Sequence, residues 1–310
     1  MSMYGDTKVV AVNMQKGGVG KTTISIFTAL HAANTLAKKT GKYVLLIDFD
    51  EQQSLSRALL EMSKVPGASY YRVPVHPEYN ETKEDIEEEI QWSGKTTSMD
   101  MLYGNNQIVP YGTKIHERID VIPSDAMLMN EYGDEIKNYK GSNLNLSGMI
   151  RNALKDVLQK LAATGEYCMI IIDTPPANKD ITKPILEVAT HVIAPFEMGP
   201  ETLEMYQKET AEIESINQSG VREEPLKIAG LIPNKFKKTQ NLDIAFYNNI
   251  KNGEKRPEFK DALTSPLESR VDIQYQILGL KKDGKLASKD PKARASIQRV
   301  MKEIFRNMAA

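Results

Sequence analysis

The chain has one cysteine, Cys168, in 310 residues. A lone thiol excludes an internal disulfide and any cysteine-rich metal site, and it fits a cytoplasmic protein. Its place in the apolar run Tyr167 to Ile172 reads as that of a small core residue in a buried strand. Long apolar runs are missing as well. No stretch reaches the roughly 18 apolar residues of a spanning helix, so no membrane segment is expected. The opening MSMYGDTKVV lacks the apolar core of a signal peptide and leads straight into a candidate strand. No internal repeat and no low-complexity linker divides the chain. One domain over residues 1–310 is therefore the simplest organisation.

What is present is ordinary in amount but uneven in placement. A hydrophobic content of 41 % with 26 % charged residues is that of a soluble globular chain, long enough for one large core. The net charge of −1 conceals a split. From Lys227 onward there are 18 Lys and Arg against 9 Asp and Glu; before it there are 22 against 32. A basic final third can mark a face for nucleic acid.

Apolar runs alternate with helical patterns, the signature of an α/β fold with a largely parallel sheet. Strands are expected at Val9–Asn13, Tyr43–Asp48, Ile119–Ile122, Tyr167–Asp173, His191–Pro195 and Ile228–Pro233. Helices are expected at Thr22–Lys38, Leu146–Ala163, Ile181–Glu187, Glu201–Ser215, Gln240–Asn252 and Lys292–Asn307. The expected architecture is α/β, a single domain with a mostly parallel twisted sheet flanked by helices and an inserted excursion. One stretch departs from the alternation. Residues 62–114 are polar, rich in Tyr, Pro and Glu, and hold the acidic run Glu81 to Glu89. They read as an inserted excursion with a short acidic helix near Lys83–Trp92, either a solvated surface elaboration or a partner-docking or dimer-contact element. The only tryptophan, Trp92, would anchor that helix.

Three segments carry chemistry. Lys16-Gly17-Gly18-Val19-Gly20-Lys21-Thr22-Thr23 fits the phosphate-binding loop, with its first glycine replaced by lysine. Gly18 and Gly20 let backbone N–H groups turn inward onto phosphate oxygens. Lys21 would reach the β- and γ-phosphates, and the Thr22 hydroxyl would ligate Mg²⁺. Val44-Leu45-Leu46-Ile47-Asp48-Phe49-Asp50 is an apolar strand ending in two carboxylates at the sheet edge where ligands bind. Cys168 to Pro176 ends a buried strand in Asp173-Thr174-Pro175-Pro176, a Walker B pattern. The Asp173 carboxylate would hold Mg²⁺ through a water, because Mg²⁺ dehydrates reluctantly.

The KGGVGKTT string resembles the deviant Walker A motif of the ParA/MinD family of ATPases, and the resemblance covers nearly all of the chain except roughly residues 62–114. It implies ATP hydrolysis with Mg²⁺ in a homodimer formed in the ATP state. Lys16 would then reach across the dimer to the partner's phosphates. It implies that Asp50 orients the attacking water, with Lys16, Lys21 and Asp50 as the catalytic set, and that Asp48 helps to organise Mg²⁺ and the loop. Pro175 would lie in the turn that senses the γ-phosphate, and Asn234, closing the run Leu231-Ile232-Pro233, would meet the adenine edge. The chain departs from the family pattern at Met14 and in Asp50-Glu51-Gln52-Gln53-Ser54, where the family has Asp-Pro-Gln-Gly-Asn. The loop's backbone conformation is what those replacements put at issue.

A single cysteine removes the cluster-bearing and metal-carrying relatives, and the tyrosine-kinase relatives' C-terminal tyrosine cluster is absent. The last helix has Ile297, Val300, Met301, Ile304 and Phe305 at helical spacing, the pattern of a helix packed on a core. The final third resembles ParA segregation ATPases through Ser265 to Arg270 and Asp290 to Ala295. That likeness implies sequence-independent DNA binding by Arg270, Lys281, Lys282, Lys292 and Arg294, a ParB-like centromere-binding partner, and a cytoplasmic, nucleoid-associated protein with no membrane contact. The alternative is a MinD-like positioning ATPase acting on membrane or a protein scaffold.

Overall fold

The computed structural model describes residues 3–79, 94–103, 107–131, 145–176, 179–198, 201–237, 240–253, 257–268 and 291–309. Nine strands lie among them: β1 Lys8–Val12, β2 Tyr43–Asp48, β3 Ser63–Lys64, β4 Tyr71–Arg72, β5 Tyr111–Gly112, β6 Ile119–Ile122, β7 Tyr167–Asp173, β8 His191–Glu197 and β9 Lys227–Asn234. Seven of these form the central sheet, in the order β5-β6-β2-β7-β1-β8-β9. Its pairings are parallel except that of β5 with β6. The other two, β3 and β4, make a separate antiparallel ribbon.

The strands are apolar without interruption because both faces are covered. Val10, Val12, Val44, Leu46, Met169 and Ile171 pack with Ile24, Phe27, Ile297 and Ile304 on one side. Val9, Ala11, Leu45, Ile47, Ile170 and Ile172 pack with Leu154, Leu158, Ile185 and Ile213 on the other. Shorter helices are α2, Ser54–Leu59, α3, Ser98–Leu102, and α7, Asn241–Lys251. The first covering layer is built from α1, Lys21–Ala32, and α8, Pro291–Ala309; the second from α4, Leu146–Ala163, α5, Lys179–Val188, and α6, Thr202–Gln218. The basic last helix is thus a core helix. It buries Ala293, Ile297, Val300, Met301, Ile304 and Met308 and leaves Lys292, Arg294 and Arg299 exposed.

Three expectations change. The first helix begins at Lys21 and passes into a π-helical turn at Ala33–Ala37. There the side chains of Asn34 and Thr35 bond the carbonyls of Leu30 and His31, four residues back, where the backbone ladder loosens. Cys168 is half-buried, not sealed in the core; its thiol donates to the carbonyl of Tyr43 beside a register shift in β2. The excursion is more than a solvated surface. Val73, Met99, Met101, Leu102 and Tyr111 are buried in the two main cores, and β5 extends the sheet. The acidic helix expected near Lys83–Trp92 lies outside the described residues.

Gly230 on β9 shows how closely the last helix is seated. A Cβ there would lie 2.8 Å from Cγ1 of Ile304 and 3.3 Å from Cγ2 of Thr264. Neither neighbour is the free end of a flexible chain. Gly230→Ala should therefore destabilise the protein by about 1–3 kcal/mol through overpacking. Urea denaturation checks this; an unchanged midpoint would mean that the helix docks more loosely than described.

Candidate functional site

Register assembles the site. Parallel pairing sets Val12 beside Asp173 and Asp173 beside Asp48, so three motif-bearing strands end together. In an open α/β sheet, the carboxyl edge of the strands is where ligands bind.

The phosphate loop leaves β1 and enters α1 at Gly20, whose φ of 96° is left-handed. A side chain is also excluded by crowding, since a Cβ on Gly20 would meet Nδ2 of Asn234 at 2.4 Å. Lys21 is buried and donates to the carbonyls of Met14 at 3.1 Å and Lys16 at 3.5 Å. Burial lowers its pKa, opposed by the charges of Asp173, Asp50 and Glu209. Thr22 follows on the first turn and donates to Oδ2 of Asp173 at 2.7 Å, while Ser25 donates to Oδ1 at 3.1 Å. Burial and the neighbouring Asp48 push Asp173 well above the usual carboxylate range. A hydroxyl and a carboxylate side by side form an oxygen-only donor set, suited to a hard cation. No cage of three or more acidic, His or Cys side chains is found among the described residues. Mg²⁺ needs no such cage, since it keeps several waters in its shell.

Asp48 is fully buried and faces the next loop. Its Oδ2 accepts from the amide and hydroxyl of Ser56 at 2.9 and 2.6 Å, and its Oδ1 from the amide of Asp50 at 3.0 Å. Among the described residues, its hydrogen bonds therefore shape the Asp50 turn and do not reach the phosphate loop. Asp50 is half-buried, accepts from the amide of Gln52 at 3.0 Å, and is raised by burial. Asp50 and Lys21 lie close enough that each shifts the other's titration.

The remaining candidates lie around this centre. Lys16 is turned outward and pairs with Glu201 at 3.2 Å, its side chain 45 % exposed. Gly17 approaches Pro176, next to the buried Pro175. Gly18, Val19 and Gly20 are held from β9. Asn234 donates to the carbonyl of Val19 at 2.7 Å, and Lys235 donates to that of Gly18 at 2.8 Å while pairing with Glu197. Thr23 lies half-buried in the first turn of α1. Lys292 and Arg294 open α8, remote from the phosphate loop in sequence; Arg270, Lys281 and Lys282 lie outside the described residues.

Several contributors carry no motif. Glu209 on α6 accepts from Nδ2 of Asn13 at 2.6 Å, and Asn13 in turn accepts from the hydroxyl of Thr174 at 3.0 Å. Glu212, one turn on, accepts from Gln15 at 2.6 Å. With Glu201 on Lys16, the helix segment 201–212 holds residues 13, 15 and 16 of the loop's approach by three carboxylates. Their i, i+3 and i, i+8 spacing is visible in the sequence, but only the fold shows what they face. Left-handed backbone is a second signal. Among the described residues, Gln53 and Lys235 are the two non-glycine positions with positive φ, and both border the site.

Glu209 is nearly inaccessible, its Oε2 has no partner among the described residues, and burial pushes its pKa up to about 8. A carboxyl held above its ordinary value leaves the folded state more protonated than the unfolded chain. Stability contributed there is full below the ordinary glutamate value and is lost as pH rises toward the folded value. Glu209→Gln keeps an acceptor for Asn13 and removes the titration. Between about pH 5 and pH 9, nucleotide-free wild type should lose about 1–3 kcal/mol more stability than the variant. Equal losses in thermal denaturation would place the raised group elsewhere.

Comparison with known proteins agrees with the fold. The family model described as AAA domain, AAA_31, matches residues 7–228. The chromosome partitioning protein ParA of Caulobacter vibrioides is 28 % identical over 238 residues, covering 76 % of this chain and 72 % of that protein. An ATP complex of Cyanothece McdA superposes with a TM-score of 0.68 at 16 % identity, covering 98 % of this chain and 97 % of that one. A plasmid partition protein from Borrelia burgdorferi B31 bound to AMPPNP superposes with a TM-score of 0.61 at 21 % identity, covering 98 % of both chains.

Proposed function

The chain belongs to the AAA domain family AAA_31, as a P-loop ATPase of the ParA/MinD type, and from that premise we propose that it is a ParA-type DNA-partition ATPase. The observation that carries the proposal is the divergence of two lysines in one phosphate loop. Lys21 turns inward to the loop's own carbonyls, while Lys16 stands outward, held by an exposed glutamate. An exposed ion pair of this kind is worth about 0–1 kcal/mol, so Lys16 is released at little cost. A cation that its own loop does not use is available to the phosphates of a second subunit. In the proposed reading, ATP brings two copies together and Lys16 of each completes the other's site.

Within one subunit, the loop amides and Lys21 hold the phosphates. Thr22 and Asp173 would hold Mg²⁺, through water at Asp173, and the ion would neutralise charge on the β- and γ-phosphates. Asp50 orients the attacking water, with Asp48 and Ser56 fixing its turn. Pro175 stiffens the turn after Asp173, and Asn234 would serve the adenine end from β9. Residues 1–310 work as one domain, with 62–114 as an elaboration of it. Support for the partition role comes from the relatives' names and from the basic last third, including the exposed Lys292 and Arg294. Arg270, Lys281 and Lys282 complete the proposed DNA face. A ParB-like protein stimulates hydrolysis and releases the dimer from nucleoid DNA.

Binding to a random-sequence duplex tests this with ATP, with ADP and without nucleotide, across a salt series. Tight binding is expected with ATP alone and should weaken steeply with salt. Arg270→Ala should weaken it uniformly across sequences and lower the salt slope by about 1. Binding in no nucleotide state would sink the partition reading and favour the positioning alternative.

Asp50→Ala removes the carboxylate proposed to act on water while leaving the loop lysines and Asp173 in place. It should retain ATP and DNA and lose at least about 100-fold in turnover. Normal turnover in a phosphate-release assay would overturn the assignment.

A further inference from the structure

Gln53 occupies a backbone position that suits glycine, with φ 53° and ψ 28°, directly after the Asp50 turn and at the start of α2. A residue with a Cβ adopts this conformation at a cost, so something holds it there. The side chain shows what. It is 1 % exposed, and its amide is engaged on both sides. Nε2 donates to the carbonyls of Tyr71 at 3.0 Å and Ser124 at 2.8 Å, and Oε1 accepts from the amide of Tyr71 at 2.8 Å. Gln53 thus binds β4 as a neighbouring strand would, through both backbone groups of one residue. One turn on, the Arg57 guanidinium lies 4.7 Å over the Tyr71 ring.

The same residue is tied to the proposed catalytic turn. Its amide donates to the carbonyl of Asp50 at 2.9 Å. Ser124, which accepts from Gln53, donates its own amide to the hydroxyl of Ser56 at 2.9 Å, and Ser56 donates to Asp48. A closed circuit therefore runs from Asp50 through Gln53, Ser124, Ser56 and Asp48 back to the amide of Asp50. The ribbon of β3 and β4, part of the inserted excursion, plugs into this circuit at Gln53.

We propose that Gln53 is a positioning residue for hydrolysis, through which the seating of the β3–β4 ribbon sets the Asp50 turn. Part of the excursion is thereby a mechanical component of the site. The inference rests on the reading that Asp50 acts on the attacking water.

Gln53→Gly keeps the backbone, which glycine takes freely, and removes the buried side chain with its three hydrogen bonds. The variant should melt lower but remain folded at assay temperature, and should bind a non-hydrolysable ATP analogue within about threefold of wild type. Its turnover should fall at least tenfold, and hydrogen exchange at the Tyr71 amide should accelerate. Tyr71→Pro removes the amide that Gln53 accepts from and should reproduce the loss. Tyr71→Ala keeps that amide and should retain turnover. Should Gln53→Gly fail to fold, the Tyr71 pair alone decides. Wild-type turnover in Gln53→Gly or Tyr71→Pro, or unchanged exchange at Tyr71, overturns the proposal while leaving the ATPase reading intact. Undiminished turnover in Asp50→Ala overturns the underlying reading.

Discussion

The site is organised around the fully buried Asp173 carboxylate. A buried carboxyl needs polar partners for its oxygens, and here they are two hydroxyls from the start of α1, Thr22 and Ser25. That requirement joins the phosphate loop to β7. It also accounts for Thr22 and Ser25, which as helix formers alone would be poor choices. Asp48, one strand away in register, repeats the solution with Ser56. Burial raises both carboxyls, Asp48 adds to the rise of Asp173, and each turns its oxygens toward a different loop.

How much of this is legible in the sequence depends on the range of the interactions. The strands Tyr43–Asp48, Ile119–Ile122 and Tyr167–Asp173 and the helix Leu146–Ala163 match their expected bounds, because an apolar run or a 3.6-residue stripe marks each one locally. The joint placement of Lys21, Thr22, Asp48, Asp50 and Asp173 follows from a parallel sheet whose motifs all stand at strand ends. Glu201, Glu209 and Glu212 carry no signal beyond that of polar residues in a helix, since their significance lies in a segment roughly two hundred residues earlier. Gln53 is visible as a departure from a glycine. The compensation for that departure sits in a ribbon whose strands are two residues long, too short to carry any periodic signal.

The two faces of the loop are held differently. Toward α6, the grip is carboxylate on amide or ammonium, and it is sensitive to added negative charge. Toward β9, it is Asn234 and Lys235 on backbone carbonyls, with Lys235 anchored by Glu197. Phosphates entering the loop would bring negative charge to both sides, repelling Glu201 and Glu212 on one and Glu197 on the other while attracting the Lys235 ammonium.

The pairing of β1 with β7 also governs when the protein comes into being as a binder. Lys8 lies beside Met169, and Asn13 meets Glu209, contacts spanning most of the chain. Pairings of such range form late, after the entropy of closing long loops has been met. On the ribosome, the phosphate loop emerges well ahead of its carboxylate and its supporting helix, which are made more than one hundred and fifty residues afterwards. Nucleotide is consequently a ligand only of chains made at least as far as α6. Mass action by ATP therefore favours chains that already carry β7 and α6 over shorter ones.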